Sequence, residues 1–255
     1  MSLSDYLIVP DWPAPANVRA LQTTRLGGVS IAPYASLNLG DHVGDAPFAV
    51  TRNRMLLGAV LPGEPVWLEQ VHGTAVADAD RAKGIPLSAE CGVRSAEVAD
   101  ACIARHHGSV CVVMTADCLP VLLCDGQGTV VAAVHAGWKG LKAGVIEATV
   151  QAMEVAPQNL MVWLGPAISQ QAFEVGEEVR AAFVDADQAA AAAFIPGPPG
   201  KYLADIYALA RLRLNALGIT KIYGGDRCTC RESDQFFSYR RDGVTGRMGT
   251  FIWLE

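Results

Sequence analysis

The pattern of hydrophobic and polar positions predicts buried strands at the centre of the chain. Two apolar runs rich in β-branched residues, Val110–Thr115 and Thr129–Val134, have the composition of strands that are buried on both faces. Asp125-Gly126 and Gly128 lie between the runs and mark a turn. The amphipathic run from Trp138 to about Met153 predicts a helix directly after the second strand.

The same pattern predicts strands and helices along the rest of the chain, without the regular alternation that a Rossmann or TIM-barrel fold requires. We therefore expect a single α+β domain over residues 1–255, with mixed β-sheet layers flanked by helices. The further predicted strands are 18–24, 66–71, 159–164 and 219–223, and the further predicted helices are 51–60, 173–183 (in part a turn), 186–194 and 201–217.

Three side chains with metal-ligand chemistry each follow a predicted strand. His72 closes the strand 66–71, Cys118 comes just after the first central strand, and His135 ends the second. Two imidazoles and a thiolate suit zinc, with copper as a competitor, and three protein ligands leave a tetrahedral position open, as in catalytic sites. Since the three residues are far apart in sequence, a buried thiol and two hydrogen-bonded histidines remain the alternative.

The junction after His135 also suits an anion. Open sheets place their chemistry at the carboxyl ends of strands, and the start of a helix offers free amide donors for a group such as phosphate.

Asp117 adjoins Cys118 and suggests either a role in the site or a hydrogen bond that caps a turn. In an extended strand, Gln70 would lie on the same side as His72.

Composition limits the possible partners and the compartment. The 255 residues are 51% hydrophobic and 18% charged, which is typical of a globular protein, and a net charge of −6 argues against binding to nucleic acid or anionic membrane. There is no run of eighteen apolar residues, and the N-terminal segment lacks the basic stretch of a signal peptide. Seven cysteines without a CxxC motif indicate reduced thiols, so we expect a cytoplasmic protein.

Two other segments contain reactive side chains. Residues 81–108 hold Cys91, Cys102, His106 and His107, but their spacing matches no zinc motif, so a second metal site is not expected. The C-terminal third interleaves arginines with Phe236, Phe237 and Tyr239. We expect at least one arginine of this group at a pocket, where it could bind phosphate, although a solvated face is the alternative for each one.

Nine segments carry a resemblance to a known family. They are TRLGGVSIAPYASLNLGDHVGD, WLEQVHG, MTADCLPVLL, AAVHAGWKGL, LGPAIS, FEVGEEV, KYLADIYALAR, GGDRCTC and FFSYRRDGVTGRM. In this order they resemble the YfiH/laccase-domain family, whose older name is multicopper polyphenol oxidase-like. The resemblance runs from about Thr23 to the C-terminus and implies the same YfiH-like α+β fold.

The resemblance implies a zinc ion held by His72, Cys118 and His135, which would also be the catalytic residues. It further implies a purine nucleoside phosphorylase that acts on adenosine, inosine and methylthioadenosine, with adenosine deaminase activity at the same site. The expected partners are therefore a small-molecule nucleoside and phosphate. The older family name implies a copper polyphenol oxidase as an alternative function, although nothing in this sequence requires copper.

The resemblance also makes the long loop Arg25–Asp45 a functional segment, whereas turn geometry alone could explain its glycines and asparagine. His42 as a fourth metal ligand is disfavoured, because it would close the open position. The residues that we expect near the substrate are Arg25, Asn38, His42, Gln70, Asp117, Arg231 and Arg240.

Three other functions remain open at this point. The resemblance also suggests a cytoplasmic amidase that removes a wrong amino acid from a UDP-muramyl peptide, a precursor of peptidoglycan. A thiol hydrolase could use Cys118 as nucleophile and His135 as base, without a metal. The third alternative is a metal-binding or partner-binding protein without enzymatic activity.

Overall fold

The structure is a computed structural model that describes residues 3–82 and 96–255. Within these ranges every helix is too short or too polar to cross a lipid bilayer. The strands are β1 (Leu7–Ile8), β2 (Val18–Thr23), β3 (Pro65–Val66), β4 (Leu68–Glu69), β5 (Val76–Asp78), β6 (Glu97–Val98), β7 (Ala101–Ala104), β8 (Val110–Thr115), β9 (Leu119–Asp125), β10 (Val131–Ala136), β11 (Leu160–Leu164), β12 (Glu174–Gly176), β13 (Phe194–Pro196), β14 (Lys201–Ala204), β15 (Lys221–Gly224) and β16 (Met248–Leu254). The helices are α1 (Pro47–Leu57), α2 (Ala79–Ala82), α3 (Trp138–Ala143), α4 (Val145–Met153), α5 (Glu177–Val184), α6 (Ile206–Ala216) and α7 (Tyr239–Asp242).

Two large mixed sheets pack face to face. One has five strands in the order β1-β2-β16-β8-β3, and the other has six in the order β15-β11-β9-β10-β7-β5. Cys111 and Ile252 of the first sheet belong to the same buried cluster as Leu122 and Val131 of the second. This packing explains why β8 is apolar at consecutive positions, since all its residues are buried.

The outer faces of both sheets are covered as well. Side chains of α4, α5 and α6 form a core with the six-stranded sheet, in which Val150, Phe183 and Leu209 are buried. On the other side, Leu57 of α1 and Leu37 of the preceding loop are buried against the five-stranded sheet. The expected α+β architecture, with mixed sheet layers flanked by helices, is confirmed.

The central strands are largely as predicted, with one omission. β8 has the predicted bounds, and the second central strand, β10, begins two residues later than predicted and includes His135. The prediction was wrong in leaving out β9, which lies between β10 and β11. Pro120 argues against a strand interior because it has no N–H to donate, but here it is the second residue of β9 and its carbonyl accepts the Gly165 N–H.

Four predicted elements are divided in the structure. The segment 173–183, predicted as a helix or a turn followed by a helix, becomes β12 and α5. The helix predicted over 138–153 breaks at Gly144, whose φ of 101° favours glycine and separates α3 from α4. The helix predicted over 201–217 starts only after β14, because Asp205 accepts the Ala208 N–H and caps α6. The predicted strand 66–71 becomes β3 and β4, which belong to different sheets.

Candidate active site and metal centre

His72 lies in a turn after β4, and its backbone is held by a buried carboxylate. Its φ of 61° falls in the left-handed region, which few non-glycine residues adopt. Asp100, which is fully buried, accepts the backbone N–H groups of Val71, His72 and Gly73 at 3.2, 2.9 and 2.6 Å. These bonds fix the turn, while the His72 side chain stays exposed to solvent.

The same carboxylate orients His135. This histidine is buried within β10, and its Nδ1 lies 2.8 Å from Asp100 Oδ1. The backbone N–H of His135 also donates to the Asp100 carbonyl at 2.7 Å. With Nδ1 engaged, Nε2 is the ring atom that remains for a ligand, which is a common arrangement around metal-binding histidines.

Cys118 lies where the chain crosses from one large sheet to the other, between β8 and β9. The preceding residue, Asp117, has a φ of 95°. One Asp117 carboxylate oxygen accepts the Thr229 hydroxyl and the other accepts the Arg240 backbone N–H, both at 2.6 Å. The Asp117 side chain therefore ties the crossing to the C-terminal segment and holds Cys118 half-buried at the surface.

The structure brings the three predicted ligands together. The ligand atoms of His72, Cys118 and His135 all lie within 4.8 Å of one another, and Cys118 Sγ is 3.7 Å from His72 Nε2. A Cβ at Gly137 would lie 2.6 Å from His72 Cδ2 and 3.0 Å from Cys118 Sγ, so only glycine leaves room for this convergence. A donor set of two imidazoles and one thiolate around a small open space can hold a metal ion.

Charge is distributed across the cluster in a way that favours ion pairing. Burial opposes ionisation of the Cys118 thiol, but the charges and hydrogen bonds of His135 and His72 outweigh it and lower the Cys118 pKa to about 6. Burial likewise opposes protonation of His135, but Cys118 and Asp100 raise the His135 pKa to about 9. Without a metal, thiolate and imidazolium therefore coexist at neutral pH.

Asp100 is the site residue that the sequence did not reveal. It lies directly before β7 and is separated by 28 residues from His72 and by 35 from His135. The hydrogen bonds from His135 and from the backbone outweigh the opposing effect of burial and lower the pKa of its carboxyl group. An acidic residue at the edge of an apolar run was the only signal, and its partners depend on the fold.

Several residues predicted near the substrate use their side chains in local contacts. Arg25 Nε donates to the Ala35 carbonyl, and Asn38 Nδ2 donates to the Gly40 carbonyl and to Asp45. The Gln70 amide pairs with both backbone groups of Met114 at 2.8 and 2.7 Å. These contacts fix loops and strands near the cluster.

Three other predicted substrate residues, His42, Arg231 and Arg240, lie at the surface, whereas Asp117 is buried. His42 is exposed beside Asp41. Arg240 Nη1 donates to the carbonyls of Ala172 and Glu174. Arg231 lines a cavity of about 410 Å³, to which none of the three cluster residues contributes. A substrate-binding role for any of these residues stays a prediction.

The residues considered for a second metal site do not form one within the part of the chain that the structure describes. Cys102 is buried between the large sheets, and His106 lies near Asp80. Cys91 lies outside the described residues.

A match to a family model places the chain in a known class. Residues 19–255 match the family described as multi-copper polyphenol oxidoreductase laccase, so the chain belongs to this YfiH-containing family, as the resemblance implied. It is 56% identical over 250 residues to purine nucleoside phosphorylase YfiH of Escherichia coli (strain K12), covering 97% of this chain and 98% of that one.

Two solved structures share the fold. Protein NMB0706 of Neisseria meningitidis superposes with a TM-score of 0.91 at 52% identity, covering 98% of this chain and 99% of that one. YlmD from Geobacillus stearothermophilus superposes with a TM-score of 0.84 at 32% identity, covering 95% and 94%. The fold is therefore that of the family over nearly its whole length.

Proposed function

We propose that this protein is a zinc-dependent purine nucleoside phosphorylase that acts on adenosine, inosine and methylthioadenosine, and that it also deaminates adenosine. The observation that carries the proposal is the convergence of His72, Cys118 and His135 at an open surface, in a chain whose relatives are named purine nucleoside phosphorylases. Copper is the competing metal, because the donor set suits both ions.

Each protein residue has a distinct part in this proposal. His72, Cys118 and His135 would hold the metal, which when bound would supply a Lewis acid for an oxygen nucleophile. Asp100 keeps the His135 ring and the His72 turn in place. Because His72 is exposed and His135 is buried, the nucleoside would approach from the His72 side.

In phosphorolysis, a phosphate oxygen forms a bond to C1′ of the ribose as the bond from C1′ to N9 of the purine breaks. The electron pair of the broken bond leaves with the purine, which takes up a proton, and the other product is ribose 1-phosphate. In deamination, water adds at C6 of adenosine, and ammonia leaves to give inosine.

The decisive experiment combines metal analysis with turnover. We expect purified wild-type protein to hold about one zinc per chain and to release adenine from adenosine only when phosphate is present. Cys118→Ala should lose zinc and activity together while it remains folded. Full activity in a metal-free Cys118→Ala protein would contradict the proposal, and zinc without nucleoside turnover would favour the peptidoglycan-precursor amidase.

One observation favours a second candidate, a metal-independent thiol hydrolase. The low Cys118 pKa of about 6, with His135 as the expected base and His72 also close by, is what a nucleophilic cysteine requires. Activity that survives complete metal removal but is abolished by alkylation of Cys118 would support this alternative.

We also propose a cytoplasmic location. All six cysteines in the described ranges are free thiols, as expected in a reducing compartment. Fractionation of cells followed by immunodetection of this chain tests the location directly.

A further inference from the structure

A cationic side chain next to the cluster forms no ion pair with any residue that the structure describes. Arg247 directly precedes β16, whose register against β8 pairs Met248 with Thr115. Arg247 therefore lies just beyond the end of this ladder, which closes at Thr115, three residues before Cys118 in the sequence.

The backbone and stem of Arg247 are fixed by the long loop that precedes α1. Its N–H donates to Asn38 Oδ1 at 2.9 Å, and its carbonyl accepts the Leu39 N–H at 3.1 Å. Its stem packs over Gly40, where a Cβ would lie 2.8 Å from Arg247 Cγ. Because the hydrogen bonds use backbone atoms of residue 247, they are compatible with other side chains at this position.

The guanidinium group is only partly used. Nη1 donates to the carbonyls of Thr245 and Gly246 at 3.0 and 3.1 Å. Among residues 3–82 and 96–255, Nε and Nη2 make no hydrogen bond and no carboxylate forms an ion pair with Arg247. Asp117 is near, but both of its oxygens are already engaged.

The guanidinium group of Arg247 lies close to the cluster and has donors to spare. Burial lowers the pKa of Arg247, while negative charge on Cys118 and Asp117 raises it, so the guanidinium lies within electrostatic range of the cluster. Leaving N–H donors of a half-buried guanidinium without acceptors is unfavourable, and Nε and Nη2 together match two oxygens of a phosphate.

We propose that Arg247 binds inorganic phosphate, the second substrate of a phosphorylase, at the edge of the His72–Cys118–His135 cluster. This inference rests on the proposed function and deepens it. A divalent ion held by one thiolate and two neutral imidazoles would retain one positive charge, and the Arg247 guanidinium beside it would supply two further N–H donors. A phosphate oxygen could then face the metal while other oxygens of the same phosphate accept hydrogen bonds from Arg247.

The test uses zinc-loaded wild type, Arg247→Ala, Arg247→Lys and the control Arg52→Ala, which removes an exposed arginine of α1. We expect Arg247→Ala to raise the KM for phosphate by roughly tenfold to a hundredfold, since it removes charge-assisted hydrogen bonds, with the KM for adenosine and the zinc content unchanged. The KM of Arg247→Lys for phosphate should lie between those of wild type and Arg247→Ala. If the alanine variant does not fold, the lysine variant provides the comparison with wild type. The control should behave as wild type.

Thermal shifts with inorganic phosphate give a second readout that does not depend on turnover. Phosphate should raise the Tm of wild type and of Arg52→Ala, but not of Arg247→Ala. Equal phosphate-induced shifts in all variants would overturn the inference even if the phosphorylase activity is real. A shift that requires Arg247 in a protein without nucleoside turnover would support the anion site and overturn the proposed function instead.

The same titration with adenosine 5′-phosphate separates free phosphate from a phosphate monoester. Stabilisation by inorganic phosphate supports the assignment. Stabilisation by the monoester alone would overturn it in favour of a nucleotide.

Discussion

At the scale of single residues, one carboxylate organises the candidate site. Asp100 accepts three backbone N–H groups of the turn at His72 and also binds the ring of His135. Two of the three candidate ligands therefore depend on a single buried side chain. We expect a change in that side chain to lower the affinity for a metal.

We predict that Asp100→Asn lowers metal affinity by roughly tenfold to a hundredfold, as is typical for groups that orient metal ligands. An amide would place an N–H₂ group against backbone donors that now face a carboxylate oxygen. The matched control is Asp125→Asn, because Asp125 is also buried and also accepts several backbone N–H groups, in the β9–β10 turn. Competition with a chromophoric chelator measures the affinity.

Both variants should lose a similar amount of stability, but only Asp100→Asn should lose metal. Equal metal affinity in the two variants would show that Asp100 has no special part in positioning the ligands.

The ionisation of Cys118 gives a second prediction at this scale. In metal-stripped protein, the alkylation rate of Cys118 should rise with pH around a midpoint near 6, because only the thiolate reacts and the Cys118 pKa is about 6. Iodoacetamide labelling read at the peptide level by mass spectrometry isolates this cysteine from the others. His135→Ala should move the midpoint upward, since it removes the neighbouring positive charge; an unchanged midpoint would contradict the ion pair.

At the scale of elements, a single side chain of α1 organises the long loop before it. Asn53 is fully buried, and its Nδ2 donates to Ser30 Oγ and to the carbonyls of Ser36 and Asn38. Its Oδ1 accepts the Val29 N–H at 2.8 Å. The loop is therefore ordered, although it has no strand or helix of its own, and it in turn holds Arg247.

We predict that Asn53→Ala destabilises the protein by about 2–4 kcal/mol, because it leaves several buried polar groups without a partner. Urea unfolding measures the loss, and limited proteolysis should show earlier cleavage within residues 25–45. Met55→Ala, an exposed position on the same helix, is the control and should change neither. Unaltered proteolysis in Asn53→Ala would mean that the loop is held by other contacts.

The strands also show where the hydrophobic pattern alone is enough to predict an element. β8 and β11 are short apolar runs with clear bounds. Both were predicted, because a strand that is buried on two faces has apolar residues at consecutive positions. β9 was not predicted because Pro120 is unusual inside a strand. β16 was not predicted because only the arginines and aromatic residues of the C-terminal third were interpreted. In the fold, both are interior strands of the large sheets.

At the scale of the whole molecule, the cluster joins parts of the fold that are distant in sequence. His135 belongs to the six-stranded sheet, Cys118 to the crossing between the two large sheets, and His72 to a turn held by Asp100. A metal bound here would link both sheets, and because the unfolded chain does not preserve this arrangement, binding adds directly to the free energy of unfolding.

We predict that metal removal by a chelator lowers the Tm by about 10 °C. At a free metal concentration a thousand times the Kd, binding contributes about 4 kcal/mol, and each kcal/mol shifts the Tm of a chain of this size by roughly 2–4 °C. Differential scanning calorimetry with and without chelator measures the shift. Cys118→Ala should be insensitive to the chelator; equal shifts in both proteins would place the stabilising metal elsewhere.

The sequence by itself determined the strand-rich centre, the α+β class and, through its motifs, the identities of the three candidate ligands. These features depend on local composition and on short motifs, and both involve residues that are close together in the sequence. The tertiary structure decided which distant groups meet: Asp100 with His72 and His135, Gly137 with Cys118, and Asp117 with Arg240. Contacts of this kind depend on sheet order and on backbone φ values, which no local pattern specifies.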